Sequence, residues 1–117
     1  MNTIDCRSYS VRFNNMHVPI YSVHDMHINQ AFGIALKQIR KDRNKTQEDF
    51  GIVSSRTYVS TLERGLKSIT IEKLEELADV LEIHPMTLLA YAYLLKNEAC
   101  DINELFDKLK SELKIKS

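Results

Sequence analysis

Apolar residues recur at helical spacing along most of this chain, and short polar interruptions divide them into separate stripes. The first stripe begins at Ile28, and the last runs from Ile102 to Leu113. Within each stripe, apolar positions return every three or four residues, which places them on one face of an α-helix. Such helices bury their apolar faces by packing against one another, so the pattern predicts an all-α fold.

Capping residues predict where the helices begin and end. Asn44 is a suitable stop, because Asn tolerates the left-handed conformation that ends many helices. Thr46 is a good N-cap, with Asp49 at the third helical position of a capping box. Gly65 is a typical residue after a helix, and Pro85 is a typical first helical residue. The first five predicted helices cover about residues 28–43, 47–53, 56–64, 71–82 and 85–95. Ser55, Thr70 and His84 are the predicted caps of the third, fourth and fifth helices. A capping box of Asp101 and Glu104 opens the sixth helix.

The composition is that of one soluble globular domain. Hydrophobic residues make up 44% and charged residues 27% of the 117 positions, close to the averages for such proteins. The longest apolar run, residues 88–95, is shorter than the roughly 20 residues that span a bilayer, and no secretory leader is visible. Cys6 and Cys100 are too few and too far apart for a disulfide framework. We therefore expect a cytoplasmic protein.

Three segments differ in pattern. Residues 1–26 lack a helical period, and their partial alternation of apolar and polar residues predicts a short strand or hairpin, which Pro19 would confine to a sheet edge. An arm that stays disordered until it meets a partner fits the same residues. Residues 27–96 hold five predicted helices and form the main domain. Residues 97–117 hold the amphipathic sixth helix, which either packs on that domain or joins two copies.

The net charge is zero, but the charges are unevenly distributed. Residues 30–70 carry eight basic side chains against four acidic ones, a local charge of +4. Residues 71–117 carry six lysines against ten acids, a local charge of −4. This division favours a polyanionic partner for the basic part, although chance asymmetry in a small protein produces the same pattern.

Residues 47–64 have the pattern of two short helices joined by a tight turn. In a helix-turn-helix the first helix crosses the backbone of DNA, and the second inserts its N-terminal residues into the major groove. Gly51 supplies the small residue that we expect where the two helices approach. Val59 and Leu62, three positions apart, are predicted to face inward. The residues left for the outer face are Arg56, Thr57, Ser60 and Thr61.

The region from Phe32 to Leu89 resembles the Cro/repressor-type (XRE) helix-turn-helix family over about half of the chain. Five motifs in register carry the resemblance. They are Phe-Gly followed by Ile-Arg, then Thr-Gln-Glu-Asp-Phe, Arg-Thr-Tyr-Val-Ser-Thr-Leu-Glu-Arg-Gly, Leu-Glu-Glu-Leu-Ala-Asp-Val-Leu-Glu-Ile and His-Pro-Met-Thr-Leu-Leu. The resemblance implies a five-helix repressor-like bundle, here with an irregular N-terminal arm and an extra C-terminal amphipathic helix. It also implies a sequence-specific regulator of transcription that binds double-stranded DNA and is nucleoid-associated when bound.

The resemblance further assigns roles to individual residues. A recognition helix over about residues 55–64 would read base edges, since Arg makes bidentate bonds to guanine and hydroxyls bond bases or phosphates. Its base-reading residues would be Arg56, Thr57, Ser60 and Thr61. Contacts to phosphates or sugars are implied for Gln47, Tyr58, Arg64, Lys67 and Lys45. Arg40 and Glu63 match the positions of a structural ion pair in the family.

The predicted fifth helix is apolar on nearly every side, and a small domain buries only part of such a surface. In family members the equivalent region often forms a two-fold dimer, to which a C-terminal helix can contribute. We expect a homodimer with recognition helices about one DNA turn, roughly 34 Å, apart on a pseudo-palindromic operator. The expected interface residues are Leu88, Tyr91, Leu94, Leu95, Leu105, Phe106 and Leu109.

Neither catalysis nor metal binding is indicated. The chain has no Gly-rich phosphate loop and no Ser-His-Asp spacing. His17, His24 and His27, taken with Cys6, lack the spacing of zinc ligands, and no cofactor is expected. We expect a repressor or autoregulator, including a controller of a restriction-modification system. The alternative is a protein-interaction module, such as an antitoxin that binds a partner protein through its apolar C-terminal helices.

Overall fold

The computed structural model describes residues 26–96 and 101–114 of the chain. This part contains five α-helices, one 3₁₀ helix and no strand, which confirms the all-α prediction. The predicted N-terminal arm before Met26, with Cys6, His17 and His24, lies outside the described residues, as does Cys100. The elements are α1 (Ile28–Asp42), the 3₁₀ helix (Gln47–Phe50), α2 (Arg56–Glu63), α3 (Ile71–Leu81), α4 (Pro85–Leu95) and α5 (Ile102–Leu113).

Local capping interactions begin the helices close to where the sequence predicts. The Ser55 hydroxyl accepts a hydrogen bond from the Tyr58 main-chain N–H at 3.0 Å. Asp49 accepts the Thr46 main-chain N–H at 2.6 Å, and this bond holds the pKa of the Asp49 carboxyl below its ordinary value. Each bond satisfies a donor that the start of a helix would otherwise leave unpaired. The remaining predicted caps are Thr70 at α3, His84 at α4 and Asp101 at α5.

His27 caps α1, a role that sequence analysis missed. Its Nδ1 accepts the Asn29 main-chain N–H at 3.0 Å. In return, Gln30 Oε1 accepts the His27 main-chain N–H at 3.1 Å, which completes a capping box. His is not among the residues that usually cap helices, and His27, unlike His84, does not precede a proline at the first helical position.

The second predicted helix is shorter than expected. The sequence predicts a helix over residues 47–53, whereas the structure has a single 3₁₀ helix over Gln47–Phe50 followed by a turn. Phe50 is fully buried, and its carbonyl oxygen accepts the Ser54 main-chain N–H at 2.8 Å to close that turn. The chain therefore reverses direction as soon as Phe50 has entered the core.

One hydrophobic core joins the helices. α1 packs chiefly against α4 and also against α2, while α3 and α5 each pack against α4. Val59 and Leu62 are fully buried, which confirms the inward face predicted for the recognition helix. Met26, just before α1, is buried in the same core. The largest fully buried side chains are Phe50, Leu36, Leu62, Leu77, Leu81, Leu88, Leu95 and Val59.

The close approach of helices depends on Gly33 and not on Gly51. A β-carbon at Gly33 would lie 2.5 Å from the carbonyl oxygen of Leu62 and 2.6 Å from that of Glu63, so α1 meets α2 backbone to backbone. At Gly51 the nearest atom is the Glu48 carbonyl oxygen, at 3.1 Å and within the same turn. The expectation for Gly51 is therefore wrong, because the tight contact involves α1, which lies earlier in the chain.

Gly33→Ala should lower the free energy of unfolding by about 1–3 kcal/mol, since the added methyl group would push two helix backbones apart. Gly51→Ala is the matched control and should stay within about 1 kcal/mol of the wild type, because Gly51 already has a right-handed helical conformation. Urea denaturation followed by circular dichroism measures both. Equal losses in the two variants would contradict the assignment of the close approach to Gly33.

Candidate nucleic-acid interface

The outer face of α2 presents the four predicted base-reading residues as one polar strip. Arg56 and Thr57 are exposed, and Ser60 and Thr61 are half-buried. Their positions repeat at intervals of four residues, so they follow one another along a single face of the helix. The buried Val59 anchors the other face in the core. α2 is thus packed on one side and polar on the other.

Thr61 uses its hydroxyl proton within α2. Its Oγ1 donates a hydrogen bond to the Thr57 carbonyl oxygen at 2.8 Å. The side chain therefore offers its surroundings a hydroxyl oxygen that can accept and a methyl group. These two groups suit the amino groups of adenine or cytosine and the methyl group of thymine.

A buried ion pair connects α1 to the C-terminal end of α2. Arg40 Nε lies 2.6 Å from Glu63 Oε2, and Arg40 Nη2 lies 3.1 Å from Glu63 Oε1. The Glu63 side chain is only 3% exposed. Arg40 Nη1 also donates to the Lys45 carbonyl oxygen at 2.9 Å. The bidentate pair therefore holds α1, α2 and the segment that precedes the 3₁₀ helix in one arrangement.

Gln47 belongs to the same network. Its Nε2 donates to Glu63 Oε1 at 3.0 Å, which ties the start of the 3₁₀ helix to α2. Gln47 is expected at a DNA phosphate, and Nε2 carries a second N–H that can donate to one while the first stays on Glu63. The two residues are sixteen positions apart in the chain, so no local pattern predicts their contact.

Tyr58 and Lys67 are brought together beside the polar strip. Lys67 Nζ lies 5.5 Å from the centre of the Tyr58 ring, within the range of a cation–π interaction. Arg64 is exposed at the end of α2, with its Nε 3.4 Å from the Ser60 carbonyl oxygen. Lys45 is half-buried in the segment between α1 and the 3₁₀ helix. Besides Arg56, two positive charges and a phenol thus lie on α2 or just after it.

Glu48 lies beside Arg56 and was not among the expected site residues. Arg56 Nη1 is 3.4 Å from Glu48 Oε2, and both side chains are 67% exposed. The pair spans the turn between the 3₁₀ helix and α2. Since the two residues are eight positions apart across a turn, the spacing rules for single helices give no sign of their contact.

α4 and α5 border an open apolar groove of about 640 Å³. Met86 and Tyr93 on α4 are 49% and 41% exposed, and Phe106 on α5 is 51% exposed. None of the twelve residues of α5 is buried, although its N-cap, Asp101, and its apolar stripe follow the prediction. The two helices thus leave a continuous apolar surface exposed between them.

Two residues expected at a dimer interface belong to the core instead. Leu88 is fully buried and Leu95 is 1% exposed, so neither can meet another chain. Helix α4 is apolar on nearly every side, so its sequence alone does not say which leucines face inward. Tyr91 and Leu94 are half-buried beside the groove. Burial, and then the negative charge of Asp42, raises the pKa of the Tyr91 hydroxyl above its ordinary value.

The remaining expected interface residues border the groove. Leu105 and Leu109 are half-buried on the α5 side, next to the exposed Phe106. Ile102, Met86 and Tyr93 also line the groove and were not among the expected interface residues, although the first belongs to the predicted stripe of α5. Within residues 26–96 and 101–114, no helix is long and apolar enough to cross a membrane.

Comparisons with known proteins match the region just described. A family model described as helix-turn-helix matches residues 36–88, from the middle of α1 into α4. The chain is similar to the control protein C.BamHI of Bacillus amyloliquefaciens, with 31% identity over 67 residues that cover 55% of this chain and 83% of the relative. No solved structure matches the chain significantly.

Glu63→Gln should lower the free energy of unfolding by about 3–5 kcal/mol, since it leaves the Arg40 charge buried without a counter-charge. The double variant Arg40→Met with Glu63→Leu should lose less free energy of unfolding than Glu63→Gln, because it removes both charges together. Glu75→Gln, at an exposed position of α3, is the control for loss of an acid. A single variant as stable as this control in thermal and urea denaturation would contradict the role of the pair.

Proposed function

The chain belongs to the helix-turn-helix family of DNA-binding transcription regulators, and from this membership we propose that it binds a pseudo-palindromic operator as a homodimer. The observation that carries the proposal is the polar strip on α2, opposite a face that is buried in the core. The ion pair of Arg40 and Glu63 anchors this helix against α1. A helix that is polar on one side and anchored on the other suits insertion into the major groove.

In the proposed complex the polar strip of α2 reads base edges. Arg56 donates two hydrogen bonds to a guanine, which is the commonest specific contact in the major groove. Thr57 and Ser60 bond base edges or nearby phosphates through their hydroxyl groups. Thr61 contributes the methyl group and the hydroxyl oxygen that its bond to Thr57 leaves available.

Residues around this strip would hold the DNA backbone. Arg64 and Lys67 supply positive charge, and Tyr58, which lies under the Lys67 ammonium group, supplies a hydroxyl. Phosphate contacts of this type set the register of a protein on the duplex and make its affinity depend on salt. The proposed backbone contacts are Gln47, Tyr58, Arg64, Lys67 and Lys45. The Gln47 amide would donate its second Nε2 hydrogen to a phosphate and keep its bond to Glu63.

The groove between α4 and α5 supports the proposed dimer. A two-fold interface places the same surface of both copies face to face. The exposed side chains of Met86, Tyr93 and Phe106 would then enter the groove of the other copy. Such a dimer would present two α2 helices about one helical turn, roughly 34 Å, apart. The proposed interface keeps Tyr91, Leu94, Leu105, Phe106 and Leu109, adds Met86, Tyr93 and Ile102, and omits the core residues Leu88 and Leu95.

We further propose that the protein acts in the cytoplasm as a repressor or autoregulator, without catalytic activity or a cofactor. The name of its relative, a control protein, supports a role in the control of gene expression, including that of a restriction-modification system. A protein-interaction module of the antitoxin type is the second candidate, since a partner protein could cover the same groove. Sedimentation separates the two: a stable homodimer favours the first, and a monomer that assembles only with another protein favours the second.

A binding titration at several salt concentrations tests the proposed function. The ligands are the DNA just upstream of the protein's own gene and a random duplex of equal length. We expect the upstream DNA to bind at least about a thousandfold more tightly than the random duplex, and both affinities to fall steeply as salt rises. Equal, weak binding to both duplexes would contradict autoregulation through an upstream operator and favour the interaction module.

Leu94→Glu combined with Phe106→Glu should separate the dimer and weaken operator binding, because it introduces four charges into the apolar interface of each dimer. Ile71→Glu is the control, since Ile71 is 80% exposed on α3 and does not border the groove. Sedimentation gives the oligomeric state, and circular dichroism checks the fold. A dimer that persists in the double variant would place the interface elsewhere.

A further inference from the structure

The exposed pair of Glu48 and Arg56 lies within the proposed recognition surface. Arg56 is the first residue of α2, and Glu48 belongs to the 3₁₀ helix that would lie across the DNA backbone. The carboxylate approaches Arg56 Nη1 at 3.4 Å. The pair therefore joins the residue proposed to read guanine to the other helix of the motif.

This pair contributes little to the stability of the fold. Both side chains are two-thirds exposed, and exposed ion pairs contribute little to stability because water and salt screen them. Arg56 is also a cation in the first turn of a helix, where the helix dipole favours anions. The buried pair of Arg40 and Glu63 already holds the helices together, so a structural role for Glu48 would be redundant.

We propose that Glu48 is a positioning residue that orients the Arg56 guanidinium for base recognition and so determines how strongly one base pair is discriminated. The inference rests on the proposed function, since it requires Arg56 to contact a base. A free arginine side chain samples many rotamers, and those that miss the base still reach phosphates. A carboxylate at Nη1 restrains this motion and repels phosphates.

The contact with Glu48 involves one end of the guanidinium and leaves another edge for the base. Arginine carries five N–H donors in a planar fork, and a bidentate bond to guanine O6 and N7 needs two adjacent ones. Because the close contact of Glu48 is with Nη1, the edge formed by Nε and Nη2 is the one assigned to the base. Glu48 thereby selects one of the two bidentate edges of Arg56 and disfavours contacts between Arg56 and the DNA backbone.

A double-mutant cycle on the full-length protein tests the inference. The variants are Glu48→Gln, Arg56→Ala and their combination, with Glu75→Gln as the control for loss of an exposed acid. Each is titrated against the operator and against operators in which every base pair of a half-site is changed in turn. Discrimination at a position is the dissociation constant for the operator changed there, divided by that for the unchanged operator. The base pair read by Arg56 is the one at which Arg56→Ala lowers discrimination about tenfold or more.

Glu48→Gln should lower discrimination at that base pair by about two- to fivefold and leave it unchanged elsewhere in the half-site. It should also tighten binding to a random duplex, because one negative charge near the phosphates is lost. In the Arg56→Ala background the same substitution should change discrimination by less than about 1.5-fold. The control variant should keep the wild-type discrimination at every position.

Three outcomes would overturn the inference. If Glu48→Gln changed discrimination equally at all base pairs, Glu48 would act only through its charge. If the change were the same with and without Arg56, Glu48 would not act through Arg56. If Arg56→Ala left discrimination intact at every position of an operator that the wild type prefers, Glu48 would have no base reader to orient, while the DNA-binding function would stand. A wild type that fails to prefer any operator would instead refute the proposed function.

Discussion

The buried ion pair of Arg40 and Glu63 is the contact on which the recognition surface depends, because it joins elements that are far apart in the chain. Burying two charges costs several kcal/mol for each ion, and close pairing with further hydrogen bonds is needed to offset that cost. Here Glu63 accepts bonds from Arg40 and Gln47, and Arg40 also donates to the Lys45 carbonyl oxygen. α1, the 3₁₀ helix and α2 therefore hold one another in place through a single carboxylate.

Two glycines allow the backbone contacts that accompany this pair. Gly33 brings α1 against the last residues of α2, where a β-carbon would collide with carbonyl oxygens. Gly65 follows α2 with a φ of +76°, and a β-carbon there would lie 2.9 Å from the Gln30 Cα. Both contacts lie at the C-terminal end of α2. Its N-terminal end, with Arg56, is exposed, so the helix is anchored at one end and projects from the other.

Helix α1 links the two surfaces of the molecule, since it packs against both α2 and α4. α2 has a polar outer face and a buried inner face. On α4 the core takes Leu88, Ala92 and Leu95 and leaves the other side to form a groove with α5. In the proposed dimer, the packing of α4 on α1 would fix the distance between the two recognition helices. Glu48 would set how strongly each helix discriminates one base pair.

The sequence by itself determined the elements whose causes are local. Ser55, Thr70 and Asp101 accept bonds from main-chain N–H groups three residues on, so the starts of α2, α3 and α5 follow from neighbouring residues. The inward face of α2 follows from the spacing of Val59 and Leu62. The family follows from the resemblance of five sequence motifs in register. These features need no knowledge of which helices meet.

Only the tertiary structure decided which residues pack against distant ones. It replaced the expected second helix by a 3₁₀ helix once Phe50 was buried, and it gave Gln47 a partner in Glu63. It placed Leu88 and Leu95 in the core, because a helix that is apolar on nearly every side acquires an inside and an outside only from its neighbours. The pairing of Arg56 with Glu48 has the same origin, since only the turn between two helices brings them together.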